Sequence, residues 1–186
     1  MPPKIKITRE EIVGAAVELV RQAGEYAINA RTVANMLNCS TQPIFSNFAT
    51  MDQLRMAVVE AADALCNDYV ARGVARGDLP PYKASGMAYI RFAKEERELF
   101  KLLYMRDRAR ETDPKELELT DQMVGILQSA TGLDEESMKL FHLEMWAYVH
   151  GIATMFATGF VDLPWDLVSR MLSDAYLGLR KQYNME

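Results

Sequence analysis

Reactive side chains are few in this sequence. His142 and His150 are its two histidines, eight positions apart with Trp146 between them. In His142-Leu143-Glu144 the two polar side chains fall on different sides of a helix, which is poor geometry for a metal. Cys39 and Cys66 have neither metal-ligand spacing nor the pattern of a disulfide framework, and read as reduced thiols. No glycine-rich phosphate loop occurs, and no serine or cysteine sits in a nucleophile motif. The acidic run Glu95-Glu96-Arg97-Glu98 reads as a solvated helix junction. The chain is therefore expected not to be an enzyme and to carry neither a metal nor a cofactor.

The other chemistry on offer is hydrogen bonding. Thr41, Gln42, Ser46 and Asn47 cluster in a stretch that contains no acid from Tyr26 to Met51, with Arg31 as its one base. The first nine residues add Lys4, Lys6 and Arg9, again without an acid. Acids concentrate downstream, in Glu95–Glu98, Glu111–Glu118 and Asp134-Glu135-Glu136, and the net charge is −5. An acid-free window in an acidic chain suits a small DNA-contacting surface, because phosphates repel carboxylates.

The elements that must position these residues are helical. Leu, Ala, Met, Glu and Arg are plentiful and strand alternation is missing, so an all-α fold of about nine helices is expected. No apolar run is long enough to span a bilayer, and Met1–Lys6 lacks the apolar core of a secretion signal, so a cytoplasmic protein is expected. Helix punctuation recurs at Thr8/Glu11, Thr50/Gln53, Asp113-Pro114, Gly132 before Asp134, Pro80-Pro81 and Pro164. The predicted segments are 9–24, 30–38, 41–48, 51–76, 81–94, 97–109, 114–131, 134–160 and 164–184. The boundary falls inside the long fourth helix, giving a small module over 1–54 and a larger bundle over 55–186.

In the first module, Ile12, Ala15, Ala16, Leu19 and Val20 share one face of helix one, which Gly24 ends. Asn29 caps helix two, whose inward residues are Val33, Ala34 and Leu37. Asn38 sits at the turn, in a position that tolerates left-handed backbone. Ser40 is the expected cap of helix three, with Pro43 in its first turn and Ile44 and Phe48 inward. That leaves Thr41, Gln42, Ser46 and Asn47 outward.

The stretch ITREEIVGAAVELVRQAGEYAINARTVANMLNCSTQPIFSNFATMDQL resembles, without a gap, the DNA-binding domain of the tetracycline-repressor (TetR) family. The resemblance implies that helix three enters the major groove, with Thr41, Gln42, Pro43, Ser46 and Asn47 facing it. It further implies phosphate contacts from Arg31 and from the arm residues Lys4, Lys6 and Arg9. Phe45 stands where the family usually has a phosphate-binding Tyr, Met51 near a usual Lys, and Asn38 in place of the usual Gly.

The predicted helix 134–160 carries an inward stripe of Met138, Phe141, Met145, Val149, Ile152, Phe156 and Phe160, with small residues Ala147, Gly151, Thr154 and Thr158 on another face. The last helix offers Val168, Met171, Leu172, Ala175, Gly178 and Leu179. Two faces imply two partners, the second being the same pair of helices from another subunit, which is also the dimer contact of the resembled family. Trp146 with His150-Gly151, and Tyr89–Ala93 followed by Glu98-Leu99-Phe100, resemble C-terminal patterns of some members. The resemblance also implies release from DNA by a small, largely apolar ligand that tilts helix 51–76. Its candidate contacts are Met87, Phe92, Phe100, Leu103, Tyr104, Met123, Leu127, Trp146 and His150, each of which also fits ordinary core packing. A repressor acting at a palindromic operator is the expected function; a helical module that has lost DNA affinity is the rival reading, and activation is also compatible with the sequence.

Overall fold

The computed structural model describes residues 7–106 and 119–185. Each helix begins where the local chemistry satisfies its free amides. Helix α1 (Arg9–Ala23) opens on a reciprocal box: Thr8 accepts from the Glu11 amide while the Glu11 carboxylate accepts from the Thr8 amide. It closes at Gly24, whose φ of 78° suits a residue without Cβ. A short 3₁₀ turn at Glu25–Ala27, absent from the predicted segments, leads to α2 (Ala30–Met36), where Asn29 accepts from the amides of Arg31 and Thr32. After Asn38 at φ 49° comes α3 (Gln42–Asn47).

Helix α4 (Met51–Ala75) follows, with the Gln53 amide on Thr50 Oγ1 and the Gln53 side chain returning to the Ala49 amide. Then come α5 (Pro81–Glu95), α6 (Arg97–Tyr104), α7 (Asp121–Thr131), α8 (Glu135–Thr158) and α9 (Trp165–Gln182). All regular structure among the described residues is helical. None of the described helices is long and apolar enough to cross a membrane.

Four expectations change here. At the start of α3 the N-cap position is Thr41, with no side-chain cap bond, so Ser40 does not cap it. Asp113, Pro114 and the predicted helix start at 114 lie outside the described residues; α7 starts at Asp121, where Thr120 Oγ1 accepts from the Met123 amide. Helix α6 ends at Tyr104, and 107–109 of the predicted segment are outside the described residues. Gly159 ends α8 in left-handed backbone, so Phe160 falls beyond the apolar stripe and is 78% exposed.

The chain divides into two compact units. One is the described part of Met1–Cys66 with Glu96–Arg106; the other is Asn67–Glu95 with the described part of Asp107–Glu186. In the first, α1 packs on α2, α3 and α6 around Ile12, Ala16, Val20, Val33, Ile44, Phe48 and Leu54. The Arg21 guanidinium forks onto Glu96 at 2.8 and 3.0 Å, which fastens the start of α6 to α1. In the second, α5 lies along α8, and α7 and α9 close over Leu127, Met138, Phe141 and Met145.

Two helical glycines make opposite demands. A Cβ on Gly73 would sit 2.5 Å from the Ala88 Cβ, whereas one on Gly14 would meet nothing within 4 Å. Gly14→Ala should gain about 0.5–1 kcal/mol from helix propensity. Gly73→Ala should lose about 1–3 kcal/mol through overpacking, and Gly73→Ala with Ala88→Gly should recover most of it. Urea unfolding of the three variants checks the signs.

Candidate nucleic-acid interface

Six residues make too short a helix to hold itself, so α3 must be held by its surroundings. Ile44 and Phe48 are buried beneath it and the Phe48 amide donates to Ile44 O at 2.9 Å. From α1, Arg9 donates to the Asn47 carbonyl at 3.3 Å, and its guanidinium carbon lies 4.1 Å from the Phe48 ring centroid. The outer face carries exposed Gln42, Phe45 and Ser46, with Thr41, Pro43 and Asn47 half-buried and Ser40 exposed beside them. Phe45 offers 52% of its surface, a large apolar group on an otherwise polar face.

Two of the predicted contacts are partly engaged within the helix. Ser46 Oγ donates to Gln42 O at 2.9 Å and Asn47 Nδ2 donates to Pro43 O at 2.8 Å. Their oxygens retain acceptor capacity. Arg31 is exposed at the start of α2, where the Asn29 cap fixes its backbone. Lys4 and Lys6 lie outside the described residues. Met51 is half-buried at the first position of α4.

In the second unit, Tyr82 and Tyr89 of α5 each face a histidine of α8. Tyr82 Oη lies 3.0 Å from His142 Nδ1, and Tyr89 Oη lies 2.9 Å from His150 Nδ1. Burial pushes the pKa of His142 down to about 4 and lowers that of His150, so neutral imidazoles satisfy both pairs. The sequence alone did not reveal these rungs, although two Tyr seven apart and two His eight apart both span about two helical turns. Trp146 stacks on the His150 ring at 4.6 Å.

Residues 82–175, half of the chain, match the family model described as the tetracyclin repressor-like C-terminal domain. The chain belongs to the TetR family. Its fold is similar to that of a TetR-like transcriptional regulator from Rhodococcus sp. RHA1, with a TM-score of 0.64 at 16% identity over 96% of this chain and 98% of that one. It is similar also to a TetR family member from Streptomyces coelicolor A3, with a TM-score of 0.63 at 20% identity over 90% and 96%. No curated protein sequence matches it. TetR proteins are DNA-binding transcriptional regulators, which gives the outer face of α3 its context.

The nine predicted ligand contacts of this TetR chain do not gather in one unit. Phe100, Leu103 and Tyr104 belong to α6 in the first unit, where Phe100 and Leu103 are buried and Tyr104 Oη lies 3.9 Å from Cys66 Sγ. Burial pushes that thiol up to about 12 and keeps it protonated. Met87, Phe92, Met123, Leu127, Trp146 and His150 are in the second unit. Leu127 is fully buried, with Met123 packed against its cluster, and Phe92 meets the edge of Tyr69. A depression of about 190 Å³ lined by Leu119, Lys139, Leu140, His142 and Leu143 includes none of the nine, and is smaller than the ~300–1,000 Å³ usual for ligand pockets.

Among the predicted dimer residues, Val168 has no exposed surface and belongs to the core of its own unit. Ala147, Thr158 and Gly178 are exposed, and Gly151, Thr154, Met171, Ala175 and Leu179 are half-buried, with Ala175 and Leu179 leaning on the Phe141 cluster. Larger exposed apolar side chains lie on the same two helices: Leu140, Leu143, Tyr148 and Met155 of α8, and Leu167 and Leu177 of α9.

The tyrosine–histidine rungs predict a pH response. The unfolded His142 takes up its proton near 6.5 and the folded one near 4, so in that window the unfolded state holds more protons. Stability should therefore fall as pH drops from about 6.5 to 4, by on the order of 2 kcal/mol from this residue. Urea midpoints against pH check it, and His142→Gln should flatten that limb.

Proposed function

We propose that this TetR family member is a repressor that binds a palindromic operator as a homodimer and leaves it when a small, largely apolar ligand binds. The observation that carries the reading is α3 itself: a short helix held from beneath by Ile44 and Phe48 that turns Gln42, Phe45 and Ser46 outward. Gln42 supplies an amide of the kind that pairs with adenine in the major groove, and the Phe45 ring suits apolar contact with a thymine methyl. Ser40, Thr41, Pro43, Ser46 and Asn47 complete the groove-facing set, and Arg31 supplies a phosphate contact. Residues 1–54 form the reader, and 55–186 hold the dimer and ligand functions in a cytoplasmic regulator.

The exposed apolar residues of α8 and α9 support the dimer. Leu140, Leu143, Ala147, Gly151, Met155 and Thr158 recur at three- and four-residue spacings along α8, while Leu167 and Leu177 do the same work on α9. Small residues among large ones let a second α8–α9 pair approach closely, as in a four-helix bundle. The remaining predicted partners on this face are Thr154, Met171, Ala175, Gly178 and Leu179. A two-fold axis would set the two α3 helices about one DNA turn apart, near 34–36 Å. A ligand in the second unit, among Met87, Phe92, Met123, Trp146 and His150, would alter that separation through α4, which runs through both units.

Fluorescence anisotropy with DNA flanking the protein's own gene tests the DNA reading. Salt-sensitive binding of dimer size is the expected result; no binding at any salt would favour a module that has lost DNA affinity, for which Phe45 and Met51 are the specific grounds. Gln42→Ala should weaken specific binding by about 5- to 100-fold and leave non-specific binding nearly unchanged. Leu143→Asp should yield monomers in analytical ultracentrifugation and should lose operator affinity with the dimer.

A further inference from the structure

We propose that Arg9 is a positioning residue for the reading helix, acting through the C-terminal end of α3 rather than by gripping a phosphate. The proposal rests on the DNA-binding reading above.

Arg9 is the first residue of α1, and the reciprocal Thr8–Glu11 cap fixes its backbone there. From that point its side chain crosses 38 residues of sequence to reach the end of α3. Two contacts meet there. The guanidinium Nη1 donates to the Asn47 carbonyl at 3.3 Å, and the guanidinium carbon lies 4.1 Å from the centroid of the buried Phe48 ring.

Both contacts answer needs that α3 cannot meet by itself. The last four carbonyls of any helix lack partners inside it, and in a helix of six residues they are most of the carbonyls present. The last turn of α3 contains no basic residue of its own to complement its negative end. Arg9 brings that cation from another helix, and the flat guanidinium covers the ring that anchors α3 to the core. A lysine in its place would keep the charge but lose the planar stacking.

The two roles open to Arg9 predict different behaviour. A phosphate contact adds to the salt dependence of binding, about 0.9 in the slope of log K against log salt for each phosphate neutralised. A strut that holds α3 in place changes affinity without changing that slope.

The test compares unsubstituted protein, Arg9→Ala and Arg9→Lys, by anisotropy on a selected duplex across 50–300 mM salt. Amide hydrogen exchange of Ile44–Phe48 is measured in parallel without DNA. The expected result is a loss of roughly tenfold in specific affinity for both variants, with the salt slope unchanged and faster exchange confined to α3. Recovery of full affinity by Arg9→Lys, or a slope lowered by about one phosphate in Arg9→Ala, would overturn the proposal in favour of a direct phosphate contact. Unchanged affinity and exchange in both variants would overturn it as well. Lack of binding by the unsubstituted protein would overturn the DNA reading itself, and is told apart because it appears before any substitution is made. Because exchange is read residue by residue, a variant that unfolds more widely shows protection lost throughout α1 and α2 as well, and that outcome counts against a role local to α3.

Discussion

The pairing of α5 with α8 is the contact on which the second unit depends. Apolar packing restricts register by shape alone, and directional hydrogen bonds restrict it further. Two tyrosine–histidine rungs, each with one buried member, fix it. Tyr82 with His142 and Tyr89 with His150 each join a hydroxyl to a ring nitrogen near 3 Å, and shifting either helix would break both hydrogen bonds, with Tyr89 and His142 buried. Between the rungs, Gly86 leaves room for Leu172 and Val149, which a Cβ would meet at 3.1 and 3.4 Å. Phe141 then gathers Tyr82, Tyr176 and Tyr183 around its ring.

That pairing decides what remains for other partners. With one side of α8 committed to α5, its Leu140, Leu143 and Met155 are left exposed, which is the face proposed above for the second subunit. The chain also leaves α5 directly into α6, and α6 belongs to the reader's unit, fastened by the Arg21–Glu96 fork. Helix α1 thus carries an arginine at each end: Arg9 on α3, and Arg21 on α6. The rod between them joins α3 to α6 within the first unit.

Much of this was legible in the residues, because helix ends are local chemistry. Thr8 with Glu11, Asn29, Asn38, Asp134 and Pro81 each do what their types and neighbours dictate. The apolar stripes also named the core, from Ile12 to Phe156. Failures arose where a contact reached across the sequence or a helix stopped early. Ser40 offers a cap that the backbone at Thr41 does not use, and Phe160 continues a stripe that Gly159 has already ended. Arg9 carries the marks of an arm residue, and only the tertiary fold brings Phe48 beneath it. Residue type does not separate ligand contacts from core packing, since Met, Phe and Leu look alike whether they line a cavity or fill a core.

In the proposed dimer, two copies of α3 read DNA together. Hydroxyl-radical footprinting on a selected duplex tests it most directly. Two protected patches are expected on one face of the DNA, centred about 10–10.5 base pairs or a multiple apart and related by a dyad. A single patch, or protection without a fixed position on any sequence, would contradict it.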